Sequence, residues 1–185
     1  MQFERLVFHT HDGFIKPDEA PSVLTVARCL MRETRFSGNS PIWWNVGLHS
    51  FVVAEMLPRE LKFHGLVHDE PECITGDIPH DLKTKEQRAF EDMLMLRFYH
   101  SIGVTPPTPE QHKLVKSADR LAARAEIYAD CGTSCLKRLF PNSDWAGTVR
   151  YYSKKYSYAD CLDLDGAAVL EFVRRYDLYK NYLES

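Results

Sequence analysis

The chain has 185 residues, 44% of them apolar and 26% charged, the balance of a soluble globular protein long enough to bury one core. A net charge of -3 speaks against non-specific nucleic-acid binding, and no apolar run approaches the ~20 residues of a membrane helix. The opening Met1-Gln2-Phe3-Glu4-Arg5 is no signal peptide, and Cys29, Cys73, Cys131, Cys135 and Cys161 form an odd, scattered set without a CxxC pair, which predicts a cytoplasmic protein with reduced thiols.

Residues 1–21 have the composition of irregular chain, open to pairing as short strands or to wrapping the body. From Ser22, a suitable N-cap, Val23, Val26, Ala27 and Leu30 recur at helical spacing until the helix runs out near Arg35, before the loop Ser37-Gly38-Asn39-Ser40-Pro41. A second helix is expected from Asn45 or Gly47, with Val52, Val53, Met56 and Leu57 as its stripe and His49 at its head, facing inward. A third, from Pro58 to Thr75, carries His68-Asp69. Pro71 lacks an amide hydrogen and crowds the carbonyl of Val67, so a kink or break is expected there. Gly76 then stops the helix, and Asp77 to Lys83 reads as a loop.

A fourth helix is predicted over Thr84 to Ile102, with Phe90, Met93, Leu94 and Phe98 inward and Gly103 as its stop. Thr108-Pro109-Glu110-Gln111 is a helix start, with Thr as cap, Pro at the first position and Gln closing a capping box. The fifth helix has Leu114, Ala118, Leu121, Ala125 and Tyr128 as its expected core stripe, with Asp119 on the shoulder and Lys116 one turn before it. Residues 131–165, rich in tyrosine, give no clear periodicity. A last helix runs from Asp165 to Leu183 with Val169, Phe172, Val173, Tyr176 and Leu183 in register. The expected architecture is all-α: one domain of six or more helices over residues 1–185.

Three helices thus bring metal-capable groups toward apolar faces: His49, His68 with Asp69, and Asp119. Two imidazoles and two carboxylates suit a borderline divalent cation such as zinc, cobalt or manganese, with positions left for water and substrate oxygen. Glu72, three residues past Asp69 and four past His68, falls over the same face. Taken singly, each residue has a plainer reading: His49 as a core histidine, Asp119 as a surface acid paired with Lys116 or Arg120, Lys83 and Lys116 as solvated lysines, and Trp43 and Trp44 as core filler. A thermolysin-like protease site is excluded, because Gly65 stands where the HExxH motif over His64 and His68 needs glutamate.

The set Leu48-His49-Ser50, Val67-His68-Asp69 and Lys116-Ser117-Ala118-Asp119 resembles the HD-domain phosphohydrolases, over roughly residues 22–130, with 131–185 as a helical extension. The arginine-led Arg35-Phe36-Ser37-Gly38, the segment His68 to Pro79 and Lys83 behind it are similar to bacterial 5′-deoxynucleotidases and phage-type HD phosphohydrolases. That resemblance implies a compact helical bundle with the cation site between helices. It implies His49, His68, Asp69 and Asp119 as metal ligands, with Glu72 and Asp77 as catalytic groups. Arg35, Lys83 and Lys116 would be phosphate contacts, and Phe36, Trp43 or Trp44 would stack on the base. The implied activity is a dNTP (dATP) triphosphohydrolase releasing deoxynucleoside and triphosphate, with Mg as an additional ion on the triphosphate. The alternatives are a 5′-deoxynucleotidase, then a cyclic-nucleotide phosphodiesterase, then a non-catalytic metal- or nucleotide-binding module. A homo-oligomer, dimer or hexamer, is also implied. The chain departs from the phage relatives in Trp43-Trp44-Asn45-Val46-Gly47 before the first histidine and in Pro71.

Overall fold

A computed structural model describes residues 8–10, 13–15, 21–40, 42–79, 82–131, 145–163 and 165–184. The fold is all-α, with one antiparallel hairpin near the start: β1 (Phe8–Thr10) pairs with β2 (Gly13–Ile15) in the register Phe8 to Ile15. The helices are α1 (Val23–Arg32), α2 (Val46–Met56), α3 (Lys62–Val67), α4 (Glu72–Thr75), α5 (Lys85–Ser101), α6 (Pro109–Cys131), α7 (Trp145–Lys155), α8 (Tyr158–Leu162) and α9 (Ala167–Asn181).

Sequence logic explains most of the helix ends. The Ser22 hydroxyl accepts from the Thr25 amide at 3.2 Å and caps α1. Reciprocal Thr84–Gln87 and Thr108–Gln111 bonds start α5 and α6. After α5, Gly103 takes φ +66, and the Val104 amide reaches back to the Tyr99 carbonyl at 3.0 Å. The expected third helix is broken, as Pro71 requires. A single tight turn (Arg59–Leu61) leads into α3, turns follow over His68 to Pro71, and α4 begins after Pro71.

The bundle is built around α2, which is buried from Val46 through Ala54 and apolar on every side. Helices α1, α3, α6 and α7 surround it. Against α3 the approach is close because Gly65 has no side chain: a Cβ there would lie 2.5 Å from Leu57 Cδ1 and 3.1 Å from Ala54 Cα. The C-terminal helices dock through Phe51 of α2, whose ring packs against Tyr152 and Tyr156 of α7 and its end and against Phe172 of α9. Each such fully buried aromatic contributes about 2–3 kcal/mol through removal of apolar surface from water. Residues of α7 and α9 join the same core cluster as those of α1, α2 and α3.

Two predicted stripes hold only in part: Leu94 and Phe98 of α5 and Ala118 and Ala125 of α6 are buried as expected. On α6 the buried face is Val115, Ala118, Ala122, Ala125 and Ala129, whereas Leu114 (53% exposed) and Leu121 (37% exposed) point outward. On α5, Leu94, Phe98 and Tyr99 are buried and Met93 is exposed. Small side chains dominate the α6 face, where α6 packs on both α2 and α7. In the tyrosine-rich stretch α7 and α8 emerge; 132–144 lies outside the described residues.

Candidate metal centre

His49 is placed by the head of α2. The Asn45 side chain caps that helix by accepting from the Leu48 amide at 2.8 Å, and Asn45 is bridged in β fashion to Thr34. The Arg35 amide donates to the Trp44 carbonyl at 3.3 Å, so the Arg35 loop and the start of α2 are one local unit. His68 and Asp69 follow the end of α3, and Asp119 projects from α6.

The four side chains converge. His49 Nε2 lies 3.2 Å from Asp119 Oδ1 and 3.6 Å from Asp69 Oδ2; His68 Nε2 lies 3.0 Å from Asp69 Oδ2 and 3.8 Å from Asp119 Oδ1. The His49, His68 and Asp119 ligand atoms fall within 4.8 Å of one another, and this group can hold a metal ion.

Hydrogen bonding fits the residues to that task. His68 Nδ1 is 2.8 Å from the Gly65 carbonyl, and His49 Nδ1 is 2.5 Å from Glu126 Oε1. Both partners only accept, so both Nδ1 atoms carry hydrogen and donate. In a neutral ring this leaves a lone pair on Nε2. Both Nε2 atoms are buried and lack a hydrogen-bond partner, although acid oxygens stand close by. Two imidazole nitrogens and two acid oxygens gathered around a shared centre make a donor set that a cation can use. In the ion-free cluster burial opposes charge on the rings, but Asp69 and Asp119 outweigh it and lift His68 to about 10. The same pairing holds Asp119 and Asp69 far below the usual carboxylate range despite their burial.

Asp69 and Asp119 line a cavity of about 650 Å³ that also receives Arg35, Phe36, Glu72, Asp77, Lys83, Arg88, Glu91, Asp92, Lys116 and Arg120. Glu72 is buried. One of its oxygens takes Lys83 Nζ at 3.3 Å while Oε2 has no partner. Burial, reinforced by Asp69 and Asp77, pushes its carboxyl up to about 9. Burial also raises Asp77, which faces Arg35 Nη1 at 3.9 Å and whose amide donates to Glu33 Oε1 at 3.0 Å. Lys83 is shared with Glu91 at 2.9 Å, and Lys116, its side chain 43% exposed, donates to Asp119 Oδ2 at 3.2 Å.

Arg35 opens a strained turn: Phe36 (φ 56) and Ser37 (φ 53) are left-handed without being glycine, and Gly38 follows at φ 73. Such backbone costs non-glycine residues about 1–2 kcal/mol each. The Arg35 guanidinium sits 5.6 Å from the centre of the Phe36 ring. Of the three aromatics expected at a base, Phe36 alone lines the cavity. Trp44 is core, and Trp43 packs edge-on against Tyr158 at 4.5 Å.

Sequence reasoning missed Glu91 and Glu126. Glu126, 1% exposed on α6, bonds His49 through Oε1 and Arg35 Nε through Oε2 at 2.9 Å. Burial opposes its charge, yet His49 and Arg35 hold it ionised, at about 2. The signal available was an acid set among Ala122, Ala125 and Ala129.

No protein-family model matches the chain. A curated relative, "Uncharacterized protein YfdR" of Escherichia coli (strain K12), is 33% identical over 58 residues, which is 31% of this chain and 33% of that protein. The chain thus spans about a third of the length of the curated relative it matches. Among the described residues, no helix is long and apolar enough to cross a membrane.

Proposed function

We propose that the chain is a divalent-cation-dependent phosphohydrolase of the HD-domain type acting on a deoxynucleotide. The observation that carries this reading is the pair of unpartnered, buried Nε2 atoms beside Asp69 and Asp119, at a cavity that also holds a spare buried acid, Glu72. His49, His68, Asp69 and Asp119 would hold the ion, and this mixed nitrogen and oxygen set suits zinc, cobalt or manganese. When bound, such an ion polarises a phosphoryl oxygen and acidifies water.

The chain's own groups do the rest. Glu72 exchanges a proton with the attacking water through Oε2, the oxygen that Lys83 leaves unused, and Asp77 orients that water. Arg35 offers its Nη edge to a phosphate, since Nε is taken by Glu126. The cavity's own charge supports dependence on a cation. Its acids are Asp69, Glu72, Asp77, Glu91, Asp92 and Asp119, against the bases Arg35, Lys83, Arg88, Lys116 and Arg120, so an anionic substrate has little to attract it until a divalent ion is present.

Our first reading of the substrate is a deoxynucleoside triphosphate such as dATP, with Mg accompanying the triphosphate. Its support is that cations occur at two depths, Arg35 nearly enclosed and Arg120 exposed at the rim, in a space ample for a nucleotide. The 5′-deoxynucleotidase reading is favoured by a different observation: Arg35, Lys83 and Lys116 are each already bonded to an acid, which leaves less positive charge for the outer phosphates. A homo-oligomeric cytoplasmic enzyme belongs to the same proposal.

Phosphorus NMR of the dATP reaction separates the readings. The expected products are intact triphosphate and deoxyadenosine, with turnover abolished by chelation and restored by divalent ion. Turnover of dAMP without turnover of dATP would select the nucleotidase, and undiminished turnover by demonstrably metal-free protein would end the reading altogether.

A further inference from the structure

Glu126 has no part in the chemistry above, yet it touches two of its members. It projects from α6 two turns beyond Asp119 into the interior between α6 and α2. Its two oxygens are divided, Oε1 to His49 Nδ1 at 2.5 Å and Oε2 to Arg35 Nε at 2.9 Å. His49 is fully enclosed, and the Arg35 side chain is 11% exposed, so water is no ready substitute for either bond. Asp119, the ligand-capable acid of the same helix, faces the opposite nitrogen of the same imidazole at 3.2 Å. One ring is therefore gripped on both edges by α6.

We propose that Glu126 is a positioning residue that sets His49 and Arg35 together, fixing the Nδ1–H tautomer of the one and the aim of the other. The inference rests on the cation site proposed above. A carboxylate performs this double duty because both its oxygens accept and both partners donate. An amide cannot: its nitrogen has only hydrogens to offer, so in E126Q one partner faces a donor with a donor. If the amide nitrogen turns to His49, the ring must present a bare Nδ1, and the hydrogen moves to Nε2, the atom that faces Asp69 and Asp119. If it turns to Arg35, the guanidinium loses its Nε anchor and is left with the Asp77 contact at 3.9 Å and the Phe36 ring at 5.6 Å.

The test uses Co²⁺ alone and then inorganic phosphate as probes, with full-length wild type, E126Q, E126D and R35A. Wild type binds Co²⁺, and E126Q loses roughly 10–100-fold, the usual cost of removing a carboxylate behind a metal-bound imidazole. Phosphate binding to the Co²⁺-saturated proteins falls in both R35A and E126Q. E126D, which keeps the charge but is one methylene too short to reach both partners, falls between wild type and E126Q. Nitrogen-15 NMR of zinc-loaded wild type adds a readout that needs no variant to fold: a His49 Nδ1-bound hydrogen, shielded from solvent exchange, is expected. Wild-type Co²⁺ and phosphate affinities in folded E126Q, or a His49 Nδ1 without hydrogen in the wild type, would overturn the proposal. Failure of the wild type itself to bind Co²⁺ would instead remove the cation site on which the proposal stands.

Discussion

Two buried polar clusters grow from α2, one at His49 and the other at Glu55. At Glu55 every member is answered. The Tyr152 hydroxyl donates to Glu55, Arg175 donates to Tyr152 at 2.7 Å, to Glu55 at 3.2 Å and to Glu171 at 2.8 Å, and its guanidinium lies 4.3 Å from the centre of the Phe51 ring. At His49 the outer bonds are equally well made, but the inner atoms, His49 Nε2, His68 Nε2 and Glu72 Oε2, are buried without partners. A closed network secures helix against helix, here α2 to α7 and α9. An open one, whose unmet atoms converge on a common space, costs stability and is retained for something it binds. The two clusters also differ in depth: His49 is fully enclosed, whereas the Glu55 side chain is 32% exposed.

The sharpest way to break that contrast is Glu72→Ala. Turnover should fall by roughly 10²–10⁴, the range for a proton-transfer group, while folding stability holds or rises because a buried acid with one unmet oxygen is gone. Lys83 keeps Glu91 at 2.9 Å, which limits collateral damage. Steady-state kinetics beside urea unfolding reads both. A variant that loses Co²⁺ affinity instead would make Glu72 a ligand.

Arg175→Leu is the mirror experiment. It leaves Glu55 and Tyr152 with only each other and takes one bond from Glu171, and stability should drop by about 2–3 kcal/mol, below the value for a fully buried pair because the Glu55 side chain is 32% exposed. Co²⁺ affinity and turnover should not change. Loss of cation binding in a folded variant would show that the two clusters are coupled rather than separate.

The smallest effect tests a third buried histidine, His64, which has a single polar partner, the Tyr99 hydroxyl at 2.8 Å. Burial lowers its folded value to about 4 from an ordinary 6.5. Between those values the unfolded chain binds a proton that the folded one refuses. His64 therefore costs nothing above pH 6.5 and progressively destabilises as pH falls toward 4. Unfolding of His64→Gln compared with wild type at pH 4.5 and 7 should show the variant losing less on acidification; parallel losses would place His64 in contact with water.

Much of this was legible in the sequence for physical reasons. Caps and breakers are local, so Ser22, Thr84, Thr108, Pro71 and Gly103 mark helix ends without knowledge of the fold. His49, His68, Asp69 and Asp119 stand out because acids and imidazoles are costly beside apolar stripes. What was not legible depends on packing distance. The α6 stripe was read from its leucines, but the buried face is that of its alanines, with Val115 and Glu126 among them, where α6 packs on α2 and α7. With the phase of α6 misjudged, Glu126 had no reason to look buried, and the residue behind His49 was overlooked. The tryptophans illustrate the converse: aromatic character is visible in a sequence, whereas the side to which a ring is turned is not.

Gly65 ties these threads together. Its missing side chain lets α3 settle against Leu57 and Ala54 of α2, its carbonyl accepts from His68 Nδ1, and His49 stands on the other side of the same seam. The 5.2 Å between the two imidazole centres is thus inherited from a bare stretch of backbone. In this molecule the fit of the core and the bite of the site are one dimension measured twice.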